Sequence, residues 1–189
     1  MAKRLDSIIV VDVESTCWEG NSPVGEESEI IEIGYALLDT GSLEQTDNGS
    51  FLVCPTRSKV SLYCTELTTL IPEAVEDGIT FEEACRLLKT RFDSRSRTWA
   101  SYGDYDRRQF ERQCVSFGVA YPFGPTHLNV KNMFALVHCL PHEVGMDEAL
   151  RILGLHLEGT HHRGIDDAKN VARILAALLA ANRNKETSR

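Results

Sequence analysis

The chain has 189 residues, 42% of them hydrophobic and 25% charged, enough to build the core of one globular domain. No apolar run approaches the roughly 18 residues of a membrane span, and Met1-Ala2-Lys3-Arg4 leads into a strand pattern and not a signal peptide, so a cytoplasmic protein without a membrane partner is expected. The formal net charge of −8 excludes nonspecific wrapping of nucleic acid on a broad basic face, though not an enzyme that grips one chain end in an acidic, cation-loaded site.

In chain order, residues 8–16, IIVVDVEST, open as a buried strand and then place two acids where apolar residues are expected. Side chains alternate along a strand, so Ile8, Val10, Asp12 and Glu14 share one face and Ile9, Val11 and Val13 the other. Two carboxylates roughly 7 Å apart at the end of an apolar strand repel one another and lose hydration, and a cation or protons must compensate. EIIEIGYALLD (29–39) predicts a second strand and SFLVCP (50–55) a third, with the Gly/Ser/Asn/Asp-rich stretch between them as a turn. The chain therefore begins as a β-meander.

TFEEACRLLKTRF (80–92) carries a helical apolar face of Phe81, Ala84, Leu87, Leu88 and Phe92, with Thr80 as N-cap and Glu83 completing a capping box. TWASYG (98–103) predicts a fourth strand that runs into Asp104 and Asp106, followed by a helix over 106–118 closed by Gly118. A short strand at 127–130 and helices at 131–139, 146–153 and 166–182 complete the order. This succession predicts an α/β fold with a mixed five-stranded sheet flanked by helices, one domain over 1–182, and a disordered tail at 183–189. Cys17, Cys54, Cys64, Cys85, Cys114 and Cys139 form no CxxC pair and read as reduced thiols.

On the last helix, Val171, Ile174 and Leu178 define the inward arc, and Asp167, four residues before Val171, falls on it. Asp166 is turned about 100° away, toward solvent or a cap at the helix start. An inward carboxylate meets the same objection as the pair on the first strand. A hard divalent cation such as Mg²⁺ or Mn²⁺ answers both, since acids from separate elements can converge on it. Asp106 is preferred to Asp104 as the fourth acid, both lying at the strand end where parallel-sheet sites collect.

The ordered motifs Asp12-Val13-Glu14-Ser15-Thr16-Cys17, Ser101 to Phe110 and His162-Arg163-Gly164-Ile165-Asp166-Asp167 to Asn170 resemble those of the DEDDh superfamily of 3′-to-5′ exonucleases, in particular its ERI-type, histone-mRNA 3′ exonuclease-like branch. The resemblance runs from about Asp6 to Asn182 and implies an RNase H-like exonuclease fold. It also implies Asp12, Glu14, Asp106 and Asp167 as ligands of two Mg²⁺ or Mn²⁺ ions, with His162 as general base. His161 to Asp166 repeats the spacing of His162 to Asp167, and helix phase selects the second pair. The implied substrate is a single-stranded 3′ end of RNA or DNA, RNA being favoured by the resemblance, and the product a nucleoside 5′-monophosphate.

Leu67-Thr68-Thr69-Leu70 is similar to the family segment that packs on the terminal base, with Thr69 where that segment has Gly, so Leu67 and Thr68 become substrate-binding candidates. Thr16 is a candidate partner of the terminal ribose. Lys131, Arg107, Arg108, Arg112 and Arg163 are candidates for phosphate, the arginines at 107–112 reading first as a solvated helix face. The rival readings are a catalytically weak nucleic-acid-binding module on the same fold, which predicts a lost acid or histidine, and a phosphoesterase using Asp12 as nucleophile. Adjacent histidines without further Cys or His partners lack zinc-site spacing.

Overall fold

A computed structural model describes residues 3–186, with side chains through 181. The elements are β1 (Arg4–Ser15), β2 (Ile30–Asp39), β3 (Gln45–Leu52), α1 (Leu62–Thr68), α2 (Pro72–Glu76), α3 (Phe81–Phe92), β4 (Arg97–Ser101), α4 (Tyr105–Phe117), β5 (His127–Asn129), α5 (Val130–Val137), α6 (Met146–Ile152) and α7 (Gly164–Glu186). The five strands lie in the order β3-β2-β1-β4-β5. β1, β2 and β3 pair antiparallel, while β4 joins β1, and β5 joins β4, in parallel. Short turns suffice for the first set, whereas each parallel step needs a helical crossover, and α1–α3 and α4 supply them.

Alternation sorts β1 and β2 between two cores. Ile9, Val11 and Val13 pack with Ile33 and Tyr35 under α3 and α4, around Trp99, Phe110 and Phe123. On the other face, Ile8, Val10, Ala36 and Leu38 meet Val171, Ile174, Leu175 and Leu178 of α7, with Phe134 and Leu150 from α5 and α6. Asp12 and Glu14 continue the α7 face, and their cross-strand partners on β2 are Gly34 and Glu32. The start of α7 comes so close to β2 that a Cβ on Gly34 would fall on the Gly164 carbonyl.

The third strand is displaced from its expected position. β3 occupies 45–52, not 50–55, and the polar stretch taken for a turn is itself paired to β2. As an edge strand it is only half-buried, so Gln45, Asp47 and Asn48 carry no hydrophobic alternation to betray it. Helices α1 and α2 were also not anticipated, being 7 and 5 residues long and too short for a helical period. Thr80 caps α3 by accepting from the Glu83 N–H at 3.2 Å, but Glu83 turns its carboxylate to Arg86, so only half of the capping box forms. α7 begins two residues before 166 and is described to Glu186, past 182; residues 187–189 of the expected tail lie outside the described residues. Among the described residues no helix is long and apolar enough to cross a membrane.

Gly34→Ala should destabilise the protein by roughly 2–4 kcal/mol, because a backbone, not a flexible side chain, occupies the space its methyl needs. Urea denaturation followed by circular dichroism measures this, and an unchanged midpoint would contradict the close contact of β2 with α7.

Candidate active site

The site forms where β1 outruns its parallel neighbour. β1 pairs with β4 only as far as Val10↔Ala100, but with β2 as far as Ser15↔Ile30, so its last residues have no strand on the β4 side. The chain leaves β4 at Ser101, turns through Gly103 at φ +113° and enters α4 at Tyr105. Asp106, in the first turn of α4, thereby reaches into the gap, and its Oδ1 accepts the free Val13 N–H at 3.0 Å. The carboxyl ends of adjacent parallel strands, where the ladder opens, are where α/β sheets bind ligands.

Asp12, Glu14 and Asp167 each bring a carboxylate oxygen within 4.8 Å of the others. Glu14, Asp106 and Asp167 are buried, and all four acids line one cleft of about 360 Å³, within the usual size of small-molecule sites. Asp166 lies outside it: one oxygen accepts from the Thr160 N–H at 2.9 Å and the other pairs with Lys169 at 2.9 Å. Asp104 likewise pairs outward, with Arg107.

Burial and mutual repulsion keep the inward acids reluctant to ionise. Glu14 is pushed up from 4.5 to about 8, by burial first and then by Asp167, Glu32 and Asp106. Asp12 is raised well above the carboxylate range by burial and then by Asp106 and Glu14. Asp106 rises to about 6 through burial, held back by the hydrogen bonds from Val13 and Ser101. Asp167 is raised by burial, opposed by His161 and by the His162 N–H.

Both histidines border the cleft. His161 Nδ1 stands 3.0 Å from Asp167 Oδ2, and the His162 backbone N–H donates to the same oxygen at 2.9 Å. The two rings stack at 4.0 Å, and His162 is left-handed at φ +62°. Burial, and then the neighbouring imidazole, lowers the His162 pKa from its ordinary value and so favours the neutral ring. Helix phase thus separates Asp167 from Asp166 but not His162 from His161. Asp167 also gives the paired imidazoles a third donor within 4.8 Å, one the spacing of Cys and His alone did not supply.

Two substrate-binding candidates need correction. Thr16 is fully buried, and its hydroxyl accepts from the Glu29 N–H at 2.9 Å, so it joins β1 to the segment before β2 and does not face the cleft. Thr68 is also fully buried; its hydroxyl donates to Cys64 O at 2.8 Å and accepts from Leu70 N–H at 3.1 Å, closing the end of α1. Leu67 does line the cleft. So do Tyr102, Tyr105, Lys131 and Met146, of which only Lys131 was anticipated. Tyr105, 57% exposed beside Asp106, carried a usable signal, an exposed aromatic next to an acid. Ser15 also lines the cleft, and its buried hydroxyl has no hydrogen-bond partner among the described residues. Arg163 is turned to Glu32, and Arg112 to Ser28 and Gln109.

A family model for exonucleases, RNase T, matches residues 9–175. The chain belongs to this exonuclease family. Among its relatives, 3′-5′ exoribonuclease 1 of Rattus norvegicus is 31% identical over 184 residues, 92% of this chain and 53% of that protein. The chain thus spans about half the length of the curated exoribonuclease relatives it matches. The nuclease domain of 3′hExo, a DEDDh family member solved with rAMP, superposes with a TM-score of 0.86 at 27% identity, covering 96% of this chain and 95% of that one. Pop2p of S. pombe, solved in a Mg²⁺- and Mn²⁺-bound form, shares the fold at a TM-score of 0.69 and 16% identity, over 90% of this chain and 82% of that one. The expected DEDDh kinship and the RNase H-like mixed sheet are both borne out.

The donor set fits hard divalent cations: carboxylate oxygens from β1, α4 and α7, gathered at one cleft and largely desolvated. A pH prediction follows from the raised acids. Below pH 4.5 Glu14 is protonated in both folded and unfolded chains, and between 4.5 and about 8 the folded protein alone retains that proton. Stability in the presence of a chelator should therefore fall as pH rises through this window. Glu14→Gln, which needs no proton, should be the more stable protein at pH 8 by roughly 1–3 kcal/mol. Thermal melts at pH 5 and pH 8 with EDTA test this; a wild-type melting point that climbs over the interval would contradict it.

Proposed function

We propose that this chain is a metal-dependent 3′-to-5′ exonuclease that shortens single-stranded RNA or DNA ends, RNA by preference, and releases nucleoside 5′-monophosphates. The observation that carries the reading is the meeting of Asp12, Glu14 and Asp167 within 4.8 Å, with Asp106 beside them and the His162 imidazole bordering the same cleft. Asp12, Glu14, Asp106 and Asp167 would hold two Mg²⁺ or Mn²⁺ ions, which when bound neutralise phosphate charge and lower the pKa of water.

The chain's own groups do the rest. His162, whose neutral form burial favours, accepts the proton of the attacking water at a ring nitrogen. Its neighbour His161 is held by Asp167 and steadies that carboxylate. Leu67 offers an apolar surface to the terminal base. Lys131, paired with Glu143 at 3.5 Å on the cleft wall, is available to the phosphate backbone. In this reading residues 1–182 form the exonuclease domain, and six free thiols suit a reducing compartment such as the cytoplasm.

The test is digestion of 5′-labelled single-stranded RNA and DNA with Mg²⁺ or Mn²⁺, which should give a ladder shortened from the 3′ end. Asp167→Asn and His162→Ala should each lower kcat by roughly 10²- to 10⁴-fold, and His161→Ala by less. Binding without shortening would instead favour a non-catalytic module and sink the proposal.

A further inference from the structure

Glu32 is a carboxylate with no part in the chemistry just described, yet it is completely buried beside it. It sits on β2 directly opposite Glu14 and on the same face. A buried carboxylate costs several kcal/mol unless its oxygens are paired and hydrogen-bonded. Here every donor comes from one place. The Gly164 N–H reaches Oε2 at 2.9 Å, Arg163 Nε reaches Oε2 at 3.2 Å, and Arg163 Nη2 approaches Oε1 at 3.5 Å. Both oxygens thus face the loop that enters α7, and Glu32 stands apart from the cluster of Asp12, Glu14 and Asp167.

Arg163 and Gly164 are the two residues that follow His162 and open α7. That stretch does not hold itself in place. His162 is a non-glycine residue at φ +62°, a strained conformation that persists where the surroundings over-determine it. The surroundings are visible. Gly164 rests against β1 and β2 so closely that a Cβ there would stand 3.0 Å from Gly34 N and 3.2 Å from Asp12 O. Arg163 extends past Glu32 to Thr69 Oγ1 at 3.4 Å. Thr69 is the left-handed cap of α1, at φ +63°, two residues after the cleft-lining Leu67.

We propose that Glu32 is a positioning residue for the reaction: its carboxylate seats Arg163 and Gly164 on the sheet and so fixes His162 at the cleft, with Arg163 as the strut from that loop to the α1 cap. The inference rests on the proposed role of His162. A seat of this kind acts on the proton-accepting step more than on substrate binding, because a misplaced base loses rate while the cleft walls stay put.

The experiment compares wild type with Glu32→Gln and Arg163→Lys. Glu32→Gln preserves shape but turns an amide NH₂ toward donors that need an acceptor, while Arg163→Lys keeps the charge and leaves the Gly164 bond intact. Two readouts are taken: kcat and KM on a 5′-labelled single-stranded oligonucleotide with Mg²⁺, and hydrogen exchange of backbone amides in the metal-free protein. For Glu32→Gln, kcat should fall roughly 10- to 100-fold with KM within about threefold. The Gly164 amide should exchange at least about tenfold faster while amides of β2 at Ala36 and Leu38 keep their protection. Arg163→Lys should show a smaller loss of kcat and an unchanged Gly164 amide. Wild-type kcat in Glu32→Gln, an unaltered Gly164 amide, or loosening spread evenly through β2 would each overturn the proposal. Should the wild-type protein fail to shorten the oligonucleotide, the proposed function falls, and the Gly164 amide still decides whether Glu32 seats the loop. If Glu32→Gln does not fold, an Arg163→Lys protein whose kcat falls as far as His162→Ala, or does not fall at all, overturns the division of labour described.

Discussion

Mutual repulsion among desolvated carboxylates is the constraint around which this molecule is arranged. Asp12 and Glu14 sit at the end of an otherwise apolar strand, and Asp106 and Asp167 are delivered to them by two helices from opposite faces of the sheet. Nothing in the hydrophobic effect favours that meeting. It is enforced by the large apolar contacts of α4 and α7, which hold their first turns wherever their later turns pack. Stability generated far from the cleft sustains an electrostatic conflict within it, as expected where function overrides local preference.

The supporting polar contacts are distributed accordingly. Asp106 is steadied by a backbone N–H that β4 leaves unpaired, and Asp167 by His161 and the His162 N–H. Glu32 takes the Gly164 N–H and the Arg163 guanidinium. Asp106, Asp167 and Glu32 thus each have fixed donors, while Asp12, Glu14 and Asp167 bring oxygens to within 4.8 Å of one another. At the far end of the sheet, half-buried Asp39 is held below the usual carboxylate range by hydrogen bonds from Ser42 and Gly41, and exposed Asp6 by Arg97 and Arg4. The contrast between the two ends is one of hydration and partners, not of residue type.

Much of this was legible in the residues. Period-two alternation in IIVVDVEST and a period of 3.6 in the last helix were enough to aim Asp12, Glu14 and Asp167 inward and Asp166 outward, because those phases are rigid consequences of backbone geometry. Thr16 and Thr68 were misjudged for the opposite reason. A hydroxyl can satisfy a neighbouring backbone group as easily as a ligand, and sequence carries no phase for that choice. The polar strand β3 and the short helices α1 and α2 escaped because their stability is tertiary: β3 is defined by its pairing to β2, and α1 by Ser61 and the small core around Ile31 and Cys64. Glu32 and Gly34 lay in plain view in EIIEIGYALLD, but their meaning depends on α7 returning from more than a hundred residues away.

The hydrophilic character of β3 reaches beyond the cleft. It forms one outer margin of the sheet, and Thr46, Asp47, Asn48 and Ser50 decorate it. An apolar margin would invite another extended chain to anneal there and continue the ladder. This one presents hydrated side chains and the Asp47–Arg91 ion pair, so it offers a poor template for a further strand beyond the five described.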